Sequence, residues 1–557
     1  MIVEVLGEVF MPKFFGNIIN YGVAGKSVGY VVALCACMVL TALLMMAGGI
    51  GGAYFGAKAS VFFATDLRRD IYKKVQDFSF ANIDKFNTGS LVTRLTNDVT
   101  QIQNFVNMLL RMFLRTPGML IGALIMAVLL SPKLSIIFLL AIPAMILIMT
   151  LVLRKAFPLF TNMQTKIDAL NSKVQESVTN VRVVKSFVRE DYETEKFSKA
   201  NENLKDANFR AMSVMIIMMP FMTLVMNLTT VFVLWFGGNM VIVGGLPVGD
   251  LTAFITYITQ ILMSMMMVVM LFMNTSRALA SAKRIKEVLD EVPDLNDENA
   301  KHKDARVTSG AIEFQNVDFK YYKTSHEKVL DGINLTISPG ETVGIIGPTG
   351  CGKTTLVSLI SRLYDVDGGA VLVDGVDVRD YTLQNLRTGI GMVLQKNLLF
   401  SGSIEENMRW GKSDATEEEI RRNADYAQAD HFIQSFPENY QTVLEQGGVN
   451  LSGGQKQRVC IARALIKKPK ILILDDSTSA VDTATETNIQ KAFSEHLKDT
   501  TKIIIAQRIT SVKHADKIVV MDDGKISGIG THEELLLKNE AYQEIYESQN
   551  GQKEAEK

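Results

Sequence analysis

The residues best suited to chemistry lie in the second half of the chain. Gly347-Pro348-Thr349-Gly350-Cys351-Gly352-Lys353-Thr354 follows the apolar run Val343-Gly344-Ile345-Ile346, and Lys353 opens a helical stretch that continues through Thr355. That strand–loop–helix context separates a phosphate-binding loop from a chance glycine-rich turn. Backbone N–H groups at the helix start cradle phosphates, and Lys353 neutralises the β- and γ-phosphates. The Thr354 hydroxyl is placed to ligate Mg²⁺. Further on, Ile471-Leu472-Ile473-Leu474 ends at Asp475, the pattern of a central strand delivering a carboxylate to the magnesium shell. ATP and Mg²⁺ are the implied ligands.

The elements that must position these groups belong to a chain of 557 residues, too long for one core. The formal net charge of −1 gives no bulk electrostatic reason to expect nucleic acid. Hydrophobic residues make up 48%, crowded into the first half, whereas the second half reads as a soluble α/β domain. The expected organisation is a membrane domain over 1–290, a polar linker over 291–310 containing Pro293, an ATPase domain over 311–548 and a polar tail over 549–557. Of the four cysteines, Cys35 and Cys37 are two apart in an apolar helical run, so they diverge and form no metal site. They are expected to be buried small hydrophobes, and no disulfide framework is implied.

Crossing about 30 Å of hydrocarbon takes roughly 20 apolar residues. Six candidate stretches occur, at 2–19, 28–55, 105–130, 134–153, 212–243 and 251–273; the first is short and carries Glu4 and Glu8. The start of the chain lacks the basic segment of a signal peptide and is read as membrane helix. Residues 68–115 carry eight Lys or Arg and residues 154–210 carry eleven, whereas the opposite connections hold only Lys26 and Lys133. Positive charge stays inside, so the long segments are cytoplasmic and helices two to five continue past the bilayer as stalks. At the two reversals lie Phe80-Ala81-Asn82-Ile83-Asp84-Lys85-Phe86 and Asn180-Val181-Arg182-Val183-Val184-Lys185-Ser186-Phe187, whose exposed Phe side chains need a surface to rest on. Met263, Met265, Met266, Met267, Met270 and Met273 crowd the sixth helix. Flexible thioethers suit a cavity for varied apolar guests, although the plainer reading is ordinary membrane-helix packing. Mid-membrane positions of helices three to six hold no ionisable residue, which argues against proton coupling.

Together with Leu451-Ser452-Gly453-Gly454-Gln455, the order and spacing of these motifs resemble ABC transporters, specifically exporter-type half-transporters. The resemblance spans nearly the whole chain. It implies six transmembrane helices with long cytoplasmic extensions followed by a P-loop ABC ATPase domain, and helices at the reversals that press on that domain. The abrupt start lacks the amphipathic lead-in usual in the family, so a few residues are expected to precede Met1. The resemblance also implies that Tyr321, with Tyr322 as fallback, stacks on adenine and that Gln395 senses the metal. Leu451, Ser452, Gly453, Gly454 and Gln455 then form the signature that completes the site of a second subunit.

Two positions depart from the family. Asp476 stands where glutamate follows the magnesium-binding aspartate, and Gln507 stands where a histidine is usual. Aspartate retracts the carboxylate by about 1.5 Å, and a 1 Å misplacement can lose on the order of a hundredfold in rate. Gln507 carries neither positive charge nor a transferable proton. Together they imply a site that binds ATP and hydrolyses it poorly, hence a partner half-transporter with Glu and His at these positions. The upstream run Glu445-Gln446-Gly447-Gly448-Val449-Asn450 departs as well. The expectation is a multi-pass protein of the plasma membrane with a cytoplasmic ATPase domain. It exports hydrophobic or amphipathic compounds of the multidrug type, with no nucleic-acid partner. A lipid or peptide exporter or flippase is the alternative on the same fold, and an ATP-gated channel or regulatory subunit the alternative of another class.

Overall fold

The computed structural model describes residues 1–113, 115–298, 300–321, 327–477 and 481–555, and for 269, 270, 272–274, 276 and 550–555 the backbone alone. Tyr322 and the side chains of Met270 and Met273 therefore lie outside the described residues. The chain forms two compact units. One comprises Met1–Lys74 and Gly89–Asp290, the other Val75–Thr88 and Glu291–Lys557.

The first unit is helical. Among the described residues, five helical stretches are long and apolar enough to cross a membrane: Val28–Gln76, Thr88–Leu130, Pro132–Thr179, Glu190–Ile242 and Val248–Val268. Val28–Gln76 has 49 residues and Glu190–Ile242 has 53. At 1.5 Å per residue they measure about 73 and 80 Å, more than twice the hydrocarbon thickness. The apolar stretch expected at 2–19 is a helix of 16 residues, Ile2–Asn17, that passes into the π-helical turn Ile18–Val23. Pro12 interrupts its ladder, because proline has no N–H to offer the carbonyl four residues earlier. Gln260 Nε2 supplies the missing donor to the Glu8 carbonyl at 3.0 Å, and the Tyr257 hydroxyl donates to the Val9 carbonyl at 2.7 Å. A backbone group left without a donor in hydrocarbon would cost several kcal/mol, so these two side chains stabilise the short helix where it lies. Gly16 and Gly249 allow the backbones to cross closely, since a Cβ on Gly249 would stand 2.1 Å from the Gly16 carbonyl oxygen.

Cys35 and Cys37 are exposed, which corrects the expected burial. The most apolar window of Val28–Gln76 has none of its residues buried within the chain; in a bilayer, an outward apolar face is as stable as a packed one. Of the sixth-helix methionines, Met265 is buried and Met263 and Met267 are exposed. The second reversal, Val181–Ser186, buries none of its residues, and Phe187 is 73% exposed. Near the end of the last long helix, Arg284 Nε donates to Asp98 Oδ2 at 2.8 Å and the Ser281 hydroxyl to Asp98 Oδ1 at 2.8 Å. Arg94 adds a bond to the Arg284 carbonyl at 2.6 Å. This network ties the run after Gly89 to the final turns before the linker.

The second unit is α/β. Its six-stranded sheet runs Lys525–Gly530, Lys517–Asp522, Thr342–Ile346, Thr501–Ile505, Ile471–Asp475, Ile390–Val393, parallel except for the antiparallel edge Lys525–Gly530. An antiparallel sheet of Leu330–Ile337, Ile312–Phe319, Gly368–Val373 and Val376–Asp377 accompanies it. Parallel strands covered on both faces read as continuous apolar runs. Ile471 and Ile473 enter one core with Phe314 and Val371, while Leu472 and Leu474 enter the other with Val459 and Ile461. The short helix Phe80–Phe86 belongs to this unit, closed by a capping box between Ser79 and Asn82. Asn82 Nδ2 donates to Glu291 Oε1 at 3.0 Å, Lys85 pairs with Glu291 at 2.7 Å, and the Tyr364 hydroxyl donates to Asp84 Oδ2 at 3.0 Å. Phe86 is buried and stacks on Phe78 at 5.6 Å, and Phe80 lies 6.1 Å from the Tyr364 ring.

Candidate nucleotide site

Sheet register brings the chemistry together. Ile505 lies beside both Ile345 and Asp475, so the three central strands end at one level. Ligands of open parallel sheets collect there, beyond the carboxyl ends of the strands. The loop 347–352 leaves the first of these strands, and the helix Lys353–Ile360 begins directly after it. Gly350 and Gly352 adopt φ of 91° and 97°, a region glycine enters without steric penalty. At Gly352 a Cβ would also press on Leu330 at 2.8 Å and the Val329 carbonyl at 2.9 Å.

A cavity of about 900 Å³ opens at this level. It is lined by Gly347, Pro348, Thr349, Gly350, Gly352, Lys353, Thr354, Thr355, Tyr321, Gln395, Asp475, Asp476 and Gln507, with Val329 and part of the last helix. Lys353 Nζ donates to the carbonyls of Gly347 at 2.8 Å and Pro348 at 2.7 Å, which holds its ammonium over the loop. The Tyr321 hydroxyl bonds the Thr355 hydroxyl at 2.9 Å, and its ring meets Phe319 and Tyr364 edge-on at 5.0 and 5.3 Å. That arrangement fixes an aromatic plane at the cavity wall. Cys351 departs from its neighbours: it is 5% exposed, belongs to the core beneath the loop and does not line the cavity.

Thr354 Oγ1 donates to Asp475 Oδ1 at 3.0 Å, while Asp475 Oδ2 is buried with no hydrogen-bond partner. Burial pushes the Asp475 carboxyl above its ordinary range, helped by the neighbouring Asp476 charge and opposed by Thr354 and Lys353. An orphaned buried carboxylate oxygen beside a hydroxyl is a donor set that fits a hard, oxygen-seeking divalent cation such as Mg²⁺.

Asp476 and Gln507 meet each other. Gln507 Nε2 donates to Asp476 Oδ2 at 2.7 Å, and Asp476 sits at φ 48°, a strained region for any residue but glycine. Its N–H is held by the Ile505 carbonyl at 3.0 Å and its carbonyl faces Gln457 Nε2 at 3.4 Å. A carboxylate that accepts from a neutral amide is oriented by it without being turned into a proton relay.

Residues 451–455 are absent from the cavity lining. Ser452 caps the helix Gly453–Ile466 through a capping box with Gln455, in which Gln455 N–H donates to Ser452 Oγ at 3.3 Å and Ser452 N–H to Gln455 Oε1 at 2.9 Å. Leu451 is buried as the anchor, while Ser452 and Gly453 are exposed. A helix N-terminus of 14 residues is thus presented outward, where free N–H groups and the helix dipole favour an anion.

One part of the site was missed in the sequence. The helix Glu540–Ala555 runs straight through the expected tail boundary, and Glu544, Ile545, Ser548 and Gln549 line the cavity. Gln549 Nε2 donates to the Gln507 carbonyl at 2.8 Å, and its Oε1 accepts from Ile509 N–H at 2.9 Å. It grips both sides of the turn that carries Gln507. The available signal was the spacing of Tyr542, Ile545, Tyr546 and Gln549 along one helical face.

Residues 1–265 match the family described as ABC transporter transmembrane region, and residues 330–479 match the family described as ABC transporter. The chain is 40% identical over 556 residues to the uncharacterized ABC transporter ATP-binding protein YfiB of Bacillus subtilis, covering 100% of this chain and 96% of that one. It is 36% identical over 479 residues to a fatty acid ABC transporter ATP-binding/permease protein of Mycobacterium bovis, covering 86% and 75%. Among solved structures it is similar to a bacterial Atm1-family ABC exporter with ATP bound, at a TM-score of 0.81 and 26% identity, over 98% of this chain and 97% of that one.

Proposed function

The chain belongs to the ABC transporter family, with the exporter fold and an ATPase domain that couples ATP hydrolysis to transport, and from that premise we propose that it is one half of a heterodimeric exporter. In this reading its own cavity binds ATP with Mg²⁺ held by Thr354, Asp475 and Gln395, and Tyr321 stacks on the adenine. The loop residues Gly347, Pro348, Thr349, Gly350, Gly352, Lys353, Thr354 and Thr355 hold the phosphates, Cys351 supporting the loop from the core. When bound there, magnesium would supply charge neutralisation to the phosphates. Asp476 and Gln507 hold the attacking water poorly, so this site turns over slowly. Leu451, Ser452, Gly453, Gly454 and Gln455 face the ATP of a second half-transporter that supplies the glutamate and histidine.

The observation that carries the proposal is the outward presentation of Ser452 and Gly453, away from the chain's own cavity lining. A γ-phosphate on a facing subunit gives that helix terminus its anion. The exposed second reversal, Val181–Ser186 with Phe187, supports the same dimer, because an apolar corner that buries none of its residues offers a surface for another chain. The domains follow as membrane domain 1–290, linker 291–310 and ATPase domain from 311, in the plasma membrane with the ATPase domain cytoplasmic. The cargo is hydrophobic or amphipathic. A lipid-like cargo is favoured by the relative named as a fatty acid transporter. The test is ATPase activity of the chain purified alone and co-expressed with a half-transporter carrying Glu and His. Nucleotide binding without turnover alone, and turnover in the complex, are expected. Turnover of several per second by the chain alone would sink the degenerate-site reading.

A further inference from the structure

Inside the helical unit, one guanidinium holds two carboxylates. Arg115 Nη1 lies 3.0 Å from Glu4 Oε1 and Arg115 Nη2 lies 2.6 Å from Glu8 Oε1. Glu4 and Glu8 are one turn apart on Ile2–Asn17, so both reach the same arginine. Arg115 opens the helix Arg115–Leu130. Fifteen residues at 1.5 Å place it about 22 Å from Leu130, within the roughly 30 Å of hydrocarbon and toward the stalk side. A charge at that depth is expensive unless paired, and the triad is how Arg115 is accommodated.

Arg111 stands one turn earlier, and nothing similar compensates it. Among the described residues its side chain makes no ion pair and no hydrogen bond, and it is exposed. It lines a cavity of about 510 Å³ with Asn104, Asn107, Glu4 and Arg115, and with the thioethers of Met108 and Met112. The carboxylates offer that cavity little: one oxygen of each is taken by Arg115, and Glu4 Oε2 and Glu8 Oε2 are sealed from solvent. The open charge on the wall is therefore the cation. Flexible, polarizable methionines beside it suit an alkyl chain rather than a second polar group.

We propose that this cavity, walled by the unpaired Arg111 beside the Glu4–Arg115–Glu8 triad, is a binding site for an amphiphile with an oxyanion headgroup. The headgroup accepts from the Arg111 guanidinium, and the chain lies along Met108 and Met112. The triad has a positioning role: by saturating Arg115 and withdrawing both carboxylates, it leaves Arg111 as the recognising charge. The proposal rests on the exporter reading for its place in transport, but binding at equilibrium is independent of it.

The experiment uses the purified full-length chain in nanodiscs of zwitterionic lipid, without ATP. Binding of pyrene-labelled hexadecanoic acid is compared with the matched alkyl phosphate, alcohol and alkylammonium. A charge-assisted hydrogen bond predicts that both oxyanions bind about tenfold or more tighter than the alcohol, and the stronger of the two identifies the carboxylate or the phosphate as its source. Arg111→Gln should abolish that preference, bringing the oxyanions down to the affinity of the alcohol, and Arg111→Lys should restore most of it. Equal binding of acid and alcohol by the unmodified chain, or tighter binding of the alkylammonium, overturns the proposal even if Arg111→Gln fails to fold. Oxyanion preference without ATP-driven flux in the co-expressed complex would instead support the site and refute its place in transport.

Discussion

Asp476 and Gly453 sit in one chain, yet the heterodimer reading assigns them to different ATP sites. Replacing Asp476 with Ala removes the 2.7 Å bond from Gln507 and the remnant of a general base. A hydrogen bond of this kind is worth about 1 kcal/mol, and the Asp476 carboxylate is already oriented by a neutral amide. The expected loss in steady-state ATPase of the co-expressed complex is a few-fold at most. Gly453→Asp puts a carboxylate at the outward end of the signature helix. Asp in a first helical turn is favourable for folding, so the variant keeps its structure. At about 4 Å from a γ-phosphate and an effective dielectric of 20, each pair of like charges costs roughly 4 kcal/mol, on the order of a thousandfold. Ser452→Ala loses the cap and the hydroxyl and should fall between the two. The assay is phosphate release by the complex at saturating ATP, with nucleotide binding to each variant as the control. Equal losses for Asp476→Ala and Gly453→Asp would refute the asymmetry and favour two equivalent sites.

Gln549→Ala removes two bonds to the turn carrying Gln507, about 1–2 kcal/mol together. It should speed nucleotide release from this site roughly five- to thirtyfold, with Gln549→Glu intermediate because it keeps the acceptor for Ile509 N–H; unchanged release in stopped flow would reduce the last helix to scaffolding. Cys351, at 5% exposure, should react with a small maleimide far more slowly than the exposed Cys35 and Cys37; mass spectrometry showing Cys351 labelled first would place the loop differently. His532, bonded at 2.7 Å to the Tyr542 hydroxyl, is held by burial below its ordinary pKa of 6.5. The unfolded chain therefore takes up the proton first, and the stabilisation present above pH 6.5 is lost as pH falls below it. The thermal midpoint of the chain should drop more steeply from pH 7 to 5.5 than that of His532→Gln, and parallel slopes would contradict this.

Periodicity and short-range steric rules made much of this protein legible before folding. The run Ile471-Leu472-Ile473-Leu474 ending at Asp475 fits a central strand, and its four apolar residues split between two cores as a strand buried on both faces requires. The glycines of the phosphate loop announce a backbone conformation, and Gly350 and Gly352 adopt it because no Cβ opposes them. Apolar runs and the Lys/Arg-rich segments between them pointed to helices that continue past the bilayer, since both properties are local to a segment, and helices of 49 and 53 residues are found. Tertiary structure decided what depends on residues distant in the chain. That Gln507 bonds Asp476 across 31 positions, that Gln549 grips the Gln507 turn, and that Cys351 turns into the core follow from strand order and helix packing. The same holds for the two carboxylates near the start: Glu4 and Glu8 looked like charges misplaced in an apolar segment. Their partner is Arg115, 107 positions beyond Glu8, and only the crossing of two helices in three dimensions brings a charge of opposite sign to them and leaves Arg111 alone.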